Sequence, residues 1–346
     1  MTLSSNHIVI NEKRNVTLTA MIQSVGGEFV QITKRPAVLI LPGGGYSMCS
    51  DREAEVVAYP YLQAGYHAFV LRYSVAENRT WPNPLNDYEQ AMELIRGKAE
   101  EWHIDANRVA VIGFSAGGHL AACAATVAKN RPNAAILGYA ALEKDIALAC
   151  QPGTNIPSPT DHVDRLTPPC FLFAARDDAI VPIQNTINFQ NALIREGIMF
   201  ESHIYAYGGH GFGTADACII GTDICRRVPN WVKDSIGWLE DIFGKLTPGG
   251  IGKPSCSTRM NGDSEATFSV DCTYGYLKKQ KQLDALLHEL HTMVDGIIQV
   301  RFDGSKAVHE VVNGYKVREL MVTVGMNMES INQLDDQLRE IPNTVL

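Results

Sequence analysis

Short apolar runs alternate with helix-length amphipathic segments from about residue 37 to residue 243, and this alternation predicts the fold class. Most of the runs carry apolar side chains at consecutive positions, which is typical of strands buried on both faces of a sheet. Such strands, separated by helices, predict an α/β fold with an open, mainly parallel sheet and helices on both faces. The predicted strands are Ala37–Leu41, Tyr66–Tyr73, Arg108–Gly113, Ala134–Tyr139, Cys170–Ala175 and Phe200–Tyr207.

Helical spacing of apolar side chains predicts the segments that connect these strands. Before the first core strand, Ile8–Ile10 and Val16–Leu18 are short β-rich runs separated by charged and polar turn residues. We expect them to form an antiparallel hairpin at one edge of the sheet. The predicted connecting helices are Asn86–Glu101, Ala116–Lys129, Ile183–Glu196 and Trp231–Phe243.

The sequence changes character after residue 246. Residues 247–254, TPGGIGKP, are rich in glycine and proline and predict a linker between a first domain, 1–246, and a small appendage, 255–346. Tyr276–Ile297 and Met328–Ile341 each predict an amphipathic helix, whereas 298–324 contains the strand-like IIQVRF and the ambiguous VRELMVTV. We therefore expect an α-rich or α+β appendage whose apolar stripes are covered by the first domain or by a second subunit. The second possibility would make the protein a homo-oligomer.

Composition and charge exclude several classes of protein. The 346 residues are 45% hydrophobic and 20% charged, which is ordinary for a globular chain. A net charge of −8, with no basic stripe, argues against nucleic acid or an anionic membrane surface as a partner. No apolar run approaches the about 20 residues that a spanning helix needs, and the N-terminus has no signal-peptide pattern. The eight cysteines form no C-x-x-C pair, so we expect buried free thiols in a reducing cytoplasm.

The pentapeptide Gly113-Phe114-Ser115-Ala116-Gly117 is the strongest chemical signal in the chain. It is a G-x-S-x-G motif that follows a predicted strand and precedes an alanine-rich predicted helix. A nucleophilic serine in a sharp strand-to-helix turn requires this setting, whereas a glycine turn that only caps a helix is the simpler alternative. The helix N-terminus would add free N–H groups and positive potential beside the serine.

A serine nucleophile needs a base, and the base needs an orienting carboxylate, in the chain order Ser, Asp, His for this type of turn. Asp177 and Asp178 follow one predicted strand, and His210 follows another within a glycine-rich loop. The carboxyl ends of parallel strands form the ligand-binding edge of such sheets, so these residues are candidates for a triad with Ser115. Asp178 begins a D-x-x-V-P pattern and is the preferred acid, with Asp177 as the alternative.

A second glycine-rich loop, Pro42-Gly43-Gly44-Gly45-Tyr46, directly follows the strand Ala37–Leu41. Its N–H groups, together with that of Ala116, are placed to hold the negative oxygen of a tetrahedral intermediate. A phosphate-binding loop would need a following Lys-Ser/Thr, which is absent. His288 and His291 have the i, i+3 spacing of a metal pair, but no third ligand accompanies them, so we predict no metal site.

Six blocks in this order resemble α/β-hydrolase fold esterases, in particular the small bacterial esterase/lipase group with acetyl-xylan-esterase-like and feruloyl-esterase-like members. The resemblance covers about residues 5–244; the tail is outside it, and PGGG stands where hormone-sensitive-lipase relatives carry HGGG. The blocks are PGGGYSMCSDREAE (Pro42–Glu55), FVLRYSV (Phe69–Val75), WPNPLNDYEQA (Trp81–Ala91), GFSAGGHLAA (Gly113–Ala122), DDAIVP (Asp177–Pro182) and GGHGFG (Gly208–Gly213).

The resemblance implies a serine carboxylesterase that cleaves short-acyl esters, such as acetyl groups on sugars or xylan fragments. It implies Ser115, Asp178 and His210 as the triad and Gly44, Gly45 and Ala116 as oxyanion donors. This chemistry needs no metal or organic cofactor, and its partner is a small-molecule ester.

We expect Tyr46, Trp81 and Phe212 to be the aromatic neighbours of the substrate. A prolyl-oligopeptidase-like serine peptidase and a non-catalytic binding protein on a hydrolase scaffold are the alternatives. The first usually has a large extra N-terminal domain, and the residues before the first core strand are too few to form one.

Overall fold

The computed structural model describes residues 2–151, 153–216, 224–263, 265–301 and 305–343. The chain forms two compact units, Met1–Thr258 and Arg259–Leu346. In the described part of the chain, none of the helices combines the length and the hydropathy that a membrane span requires.

The first unit is built on one eight-stranded sheet. Its strands are β1 Leu3–Asn11, β2 Val16–Gln23, β3 Arg35–Leu41, β4 His67–Arg72, β5 Ile104–Phe114, β6 Ala134–Gly138, β7 Cys170–Ala175 and β8 Phe200–Tyr205. Their order in the sheet is β1-β2-β4-β3-β5-β6-β7-β8. β1 and β2 form the antiparallel hairpin expected at one edge, β2 pairs with β4 antiparallel, and the remaining pairs are parallel. The mainly parallel sheet predicted from the apolar runs is therefore confirmed.

Helices cover both faces of this sheet. They are α1 Glu55–Gln63, α2 Asn83–Gly97, α3 Ser115–Thr126, α4 Lys144–Cys150, α5 Gln184–Arg195 and α6 Asn230–Phe243. In β3, Leu39 and Leu41 enter one core with α2, α3 and α5, whereas Val38 and Ile40 enter a second core with α1 and α6. Alternate side chains of a strand point to opposite faces, so this division follows from the strand geometry. It explains why the central strands carry apolar residues at consecutive positions.

The segment predicted as a linker, 247–254, lies inside the first unit. β9, Leu246–Thr247, pairs with β10, Gly250–Ile251, in a small hairpin. The Pro-Gly-Gly sequence therefore forms a turn between two paired strands, and the boundary between the units falls after Thr258.

The second unit is helical and has a core of its own. Its helices are α7 Tyr274–Leu277, α8 Asp284–Arg301, α9 Lys306–Gly314, α10 Val317–Thr323 and α11 Met328–Arg339. The apolar stripes predicted for 276–297 and 328–341 enter one core here, so Leu287, Leu290, Ile331 and Leu338 are buried within the unit. The strand-like interpretation of IIQVRF is wrong for residues 297–301, which continue α8, and Phe302 lies outside the described residues. The ambiguous segment VRELMVTV is helical and forms α10.

Because each unit has a separate core, we expect a chain truncated after Thr258 to fold without the helical unit. Circular dichroism should show a helix-and-sheet spectrum, and heating should give a cooperative unfolding transition. A truncated chain with no cooperative transition would contradict this expectation.

Candidate active site

The G-x-S-x-G motif forms a sharp turn from the end of β5 into α3. Ser115 has a φ of +51°, an unusual conformation for a residue with a side chain. A Cβ atom on Gly113 would lie 2.2 Å from the carbonyl oxygen of Gly117, and one on Gly117 would lie 2.2 Å from that of Leu41. Only glycine fits at these two positions, so the motif is sterically required by the turn.

The side chains of Ser115, His210 and Asp178 form a continuous hydrogen-bonded chain. The Oγ atom of Ser115 lies 2.8 Å from Nε2 of His210, and Nδ1 of His210 lies 2.7 Å from Oδ2 of Asp178. With Nδ1–H donating to the carboxylate, Nε2 is free to accept the serine proton. The three residues that the sequence placed after three different strands are thus brought together at one edge of the sheet.

The two adjacent aspartates have different contacts. Asp178 is 6% exposed, and its second oxygen, Oδ1, accepts the N–H groups of Ile180 and Val181 at 2.9 Å each. Asp177 instead accepts the N–H groups of Gly208 and Gly209, at 2.9 and 3.0 Å, and holds the loop that carries His210. The geometry therefore pairs Asp178 with the imidazole and leaves Asp177 a supporting contact to the backbone.

The glycine loop after β3 presents backbone N–H groups near the serine turn. Gly44 and Gly45 have φ values of +125° and +61°, and their N–H groups meet no acceptor in the part of the chain that the structure describes. Ala116 lies in the first turn of α3, where N–H groups have no intrahelical acceptor. Gly43 is different, because its N–H donates to Oε2 of Glu53 at 3.0 Å.

Of the three aromatic residues predicted to contact substrate, Tyr46 and Phe212 are buried in the protein. Tyr46 is 0% exposed and its hydroxyl lies 2.7 Å from Nδ1 of His119, whereas Phe212 is 1% exposed and packs against Tyr139. The prediction for these two is therefore wrong, because packing behind the loops leaves no surface for a ligand. Trp81 is half-buried, with its ring 5.6 Å from that of His119.

Sequence reasoning missed Glu53 and Tyr139. Glu53 is 2% exposed, and its Oε1 accepts the Tyr139 hydroxyl at 2.5 Å. The Tyr139 oxygen in turn accepts the N–H of Gly213 at 2.9 Å, and its ring lies edge-on to His210 at 5.0 Å. Nothing in the pattern SDRE distinguishes Glu53 from a surface acid, so only the tertiary structure reveals it.

The sequence predicts no metal site at His288 and His291, which both lie on α8 in the second unit. His291 has its Nδ1 2.8 Å from the Tyr274 hydroxyl, so that ring nitrogen already has a protein partner.

His119 is a buried neutral imidazole beside the glycine loop. Its Nε2 lies 3.0 Å from the carbonyl oxygen of Pro157, and Nδ1 accepts the Tyr46 hydroxyl. Burial lowers the pKa of His119 to about 4. The unfolded chain, with an ordinary histidine pKa of about 6.5, binds a proton between these values while the folded chain does not.

We therefore expect stability to fall as the pH drops from about 6.5 to about 4, by roughly 3 kcal/mol for His119. Urea unfolding at pH 7.0 and pH 4.5 measures this loss, and His119→Asn should show a smaller difference between the two pH values. His67, whose pKa burial also lowers to about 4, is present in both proteins and contributes equally. An unchanged pH dependence in the variant would contradict the assignment.

Comparison with known proteins places this fold and site in a family. The BD-FAE model matches residues 30–151, and the model of the prolyl oligopeptidase family matches 154–238. An acetylxylan esterase of Xylanibacter ruminicola is 33% identical over 60% of this chain and 47% of its own length. An endo-1,4-β-xylanase B of Butyrivibrio fibrisolvens is 31% identical over 53% of this chain and 33% of its own. The chain thus spans between a third and a half of these curated relatives.

Solved structures match over nearly their whole length. The crystal structure of an α/β hydrolase enzyme from a Medee basin deep-sea metagenome library is 42% identical, with a TM-score of 0.64, and the match covers 69% of this chain and 98% of that one. An acetyl ester-xyloside bifunctional hydrolase of Caldicellulosiruptor lactoaceticus is 29% identical, with a TM-score of 0.60 and coverage of 68% and 96%. The sheet topology, the serine turn and these similarities together show that the chain belongs to the α/β-hydrolase family.

Proposed function

We propose that this protein is a serine carboxylesterase that hydrolyses esters of short acyl groups, of the acetyl type, through an acyl-enzyme. The observation that carries the proposal is the hydrogen-bonded chain from the Ser115 hydroxyl through His210 to Asp178, with distances of 2.8 and 2.7 Å. A serine hydroxyl alone is a poor nucleophile, and this arrangement supplies both the base and the carboxylate that orients it.

In the first half of the reaction, the Oγ atom of Ser115 attacks the ester carbonyl carbon while Nε2 of His210 accepts the hydroxyl proton. The carbonyl oxygen becomes negatively charged in the tetrahedral intermediate. When the intermediate collapses, the bond to the alcohol oxygen breaks, and His210 transfers its proton to the leaving alcohol. Water then repeats the sequence on the acyl-enzyme and releases the acid. Throughout, the buried Asp178 carboxylate stabilises the imidazolium.

The N–H groups of Gly44, Gly45 and Ala116 are our proposed donors to the negative oxygen. They lie on the loop after β3 and on the first turn of α3, and they have no protein acceptor among the described residues. Fixed donors of this kind stabilise the intermediate without reorganising during the reaction. The short β3 loop keeps the backbone close to the serine turn, since Gly117 leaves no room for a Cβ atom beside Leu41.

Acetylated sugars and xylan fragments are the substrate class we propose. The similarities to an acetylxylan esterase and to an acetyl ester-xyloside hydrolase support this class. Trp81, half-buried and edge-on to the buried His119, is the remaining aromatic candidate for contact with the substrate. We assign this activity to the first unit, which contains every residue of the site.

The cellular setting and the assembly are further proposals. The seven cysteines among the described residues are free thiols, which supports a reducing cytoplasm; the eighth, Cys218, lies outside the described residues. We propose that two copies of the chain associate through the helical unit. The exposed apolar side chains of Val311 and Val322 on that unit favour this assembly.

Substitution of Ser115 by alanine should lower turnover of a chromogenic acetyl ester about 10³-fold or more, because the nucleophile is lost while the turn is kept. Asp178→Asn should lower turnover strongly, whereas the matched Asp177→Asn should have a smaller effect, because the hydrogen bonds that the Asp177 carboxylate accepts from described residues come from the backbone of the His210 loop. Steady-state kinetics on the three variants measures this order. Full activity in Ser115→Ala would overturn the proposal.

A panel of acetyl, butyryl, octanoyl and feruloyl esters, with acetylated xylo-oligosaccharides and an aminoacyl anilide, tests the substrate class. We expect the acetyl compounds to have the highest kcat/KM values. A preference for the anilide would favour the peptidase alternative, and no hydrolysis of any compound would favour the non-catalytic alternative.

A further inference from the structure

Glu53 is a buried carboxylate outside the serine–histidine–aspartate chain. It is 2% exposed and lies just before α1, at the end of the loop that begins with Gly43. Among the described residues it makes no ion pair with a basic side chain. Burying a carboxylate is costly unless hydrogen bonds replace those lost to water. The hydrogen-bond partners of Glu53 therefore indicate its role in the structure.

Each oxygen of Glu53 accepts a hydrogen bond from a different part of the site. Oε2 lies 3.0 Å from the backbone nitrogen of Gly43, the first glycine of the loop whose later N–H groups are the proposed oxyanion donors. Oε1 lies 2.5 Å from the hydroxyl of Tyr139, which follows β6. The carboxylate therefore links the glycine loop to a residue on another strand of the sheet.

Tyr139 extends this link to the loop that carries His210. Its oxygen accepts the N–H of Gly213 at 2.9 Å, and its ring lies 5.0 Å from the imidazole at an angle of 67°. The hydroxyl thus donates to Glu53 and accepts from Gly213, so both of its hydrogen-bonding functions are used. The side chain is 1% exposed and is held among aromatic neighbours, so it has little freedom to move.

We propose that Glu53 is a positioning residue for the ester hydrolysis proposed above. Through Gly43 it orients the glycine loop, and through Tyr139 and Gly213 it orients the loop of His210. The donors to the oxyanion and the base that accepts the serine proton are thereby held at a constant separation. This inference rests on the proposed function, since it assigns these two loops their roles in catalysis.

The chemistry of the link requires a carboxylate. Both partners of Glu53 are donors, the Gly43 N–H and the Tyr139 O–H, so the side chain must accept at both ends. An ionised carboxylate does so, whereas the glutamine amide has one accepting oxygen and a nitrogen that only donates. Glu53→Gln therefore keeps the size of the side chain but leaves either the Gly43 bond or the Tyr139 bond without an acceptor.

Steady-state kinetics on Glu53→Gln, Tyr139→Phe and the double variant tests the proposal in the full-length protein. We expect kcat for an acetyl ester to fall about 30-fold in Glu53→Gln and about 10-fold in Tyr139→Phe, with KM changed less than about threefold. A displaced oxyanion donor typically costs up to about 10²–10³ in rate. The kcat of the double variant should equal that of the less active single variant, Glu53→Gln, because both substitutions break the same link.

Tyr61→Phe is the matched control. Tyr61 is also fully buried, and its hydroxyl pairs with Ser235 at 2.7 Å; within the described part of the chain it makes no hydrogen bond to Glu53, Tyr139 or the serine–histidine–aspartate chain. It should lose stability, as Tyr139→Phe does, while keeping the wild-type kcat. If Glu53→Gln does not fold, the comparison of Tyr139→Phe with Tyr61→Phe still tests the link.

Wild-type kcat in folded Glu53→Gln and Tyr139→Phe would overturn the inference, as would multiplicative losses in the double variant. A loss confined to KM would also overturn it, because the loops would then contribute to binding alone. Ser115→Ala separates this result from failure of the proposed function. If that variant is inactive while Glu53→Gln keeps the full kcat, the positioning role fails and the esterase proposal stands; if Ser115→Ala is active, the esterase proposal itself fails.

Discussion

The close approach of the Ser115 turn to the end of β3 is the constraint on which the site depends. Gly117 packs directly against the carbonyl oxygen of Leu41, and Gly113 packs against Gly117. These contacts bring the serine turn and the glycine loop together before any side chain contributes. The strained backbone of Ser115, with its positive φ, persists because β5 and the packed first turn of α3 hold the two ends of the turn.

The fold and the proximity of Ser115, Asp178 and His210 were predictable because they depend on short-range patterns. Each of Ser115, Asp178 and His210 follows an apolar strand, and the parallel arrangement of β5, β7 and β8 puts the carboxyl ends of those strands at one edge. The preference for Asp178 over Asp177 as the partner of the imidazole also follows from the D-x-x-V-P pattern after β7. In the structure the two carboxylates contact different groups, an imidazole and two backbone N–H groups.

The features that sequence reasoning missed depend on contacts between distant parts of the chain. The role of Glu53 is visible only in the folded chain. The N–H of Gly43, 10 residues before it, and the hydroxyl of Tyr139, 86 residues after it, both donate to its carboxylate. Tyr46 and Phe212 flank glycine loops, and whether such a ring faces a ligand or the core depends on neighbours such as His119 and Tyr139. The strand-like residues 297–301 are helical in the structure, where Ile298 packs into the core of the second unit. Tertiary packing overrides local propensity in such cases.

The adjacency of Asp177 and Asp178 gives the first half of the histidine loop and the imidazole a shared anchor. One carboxylate holds the peptide groups of Gly208 and Gly209, its neighbour holds the ring of His210, and both follow the end of β7. The loop and its imidazole are thus tethered to the same short stretch of backbone. A displacement of that stretch would move Gly208, Gly209 and the imidazole together, while the bond from Gly213 to Tyr139 resists the movement at the far end of the loop.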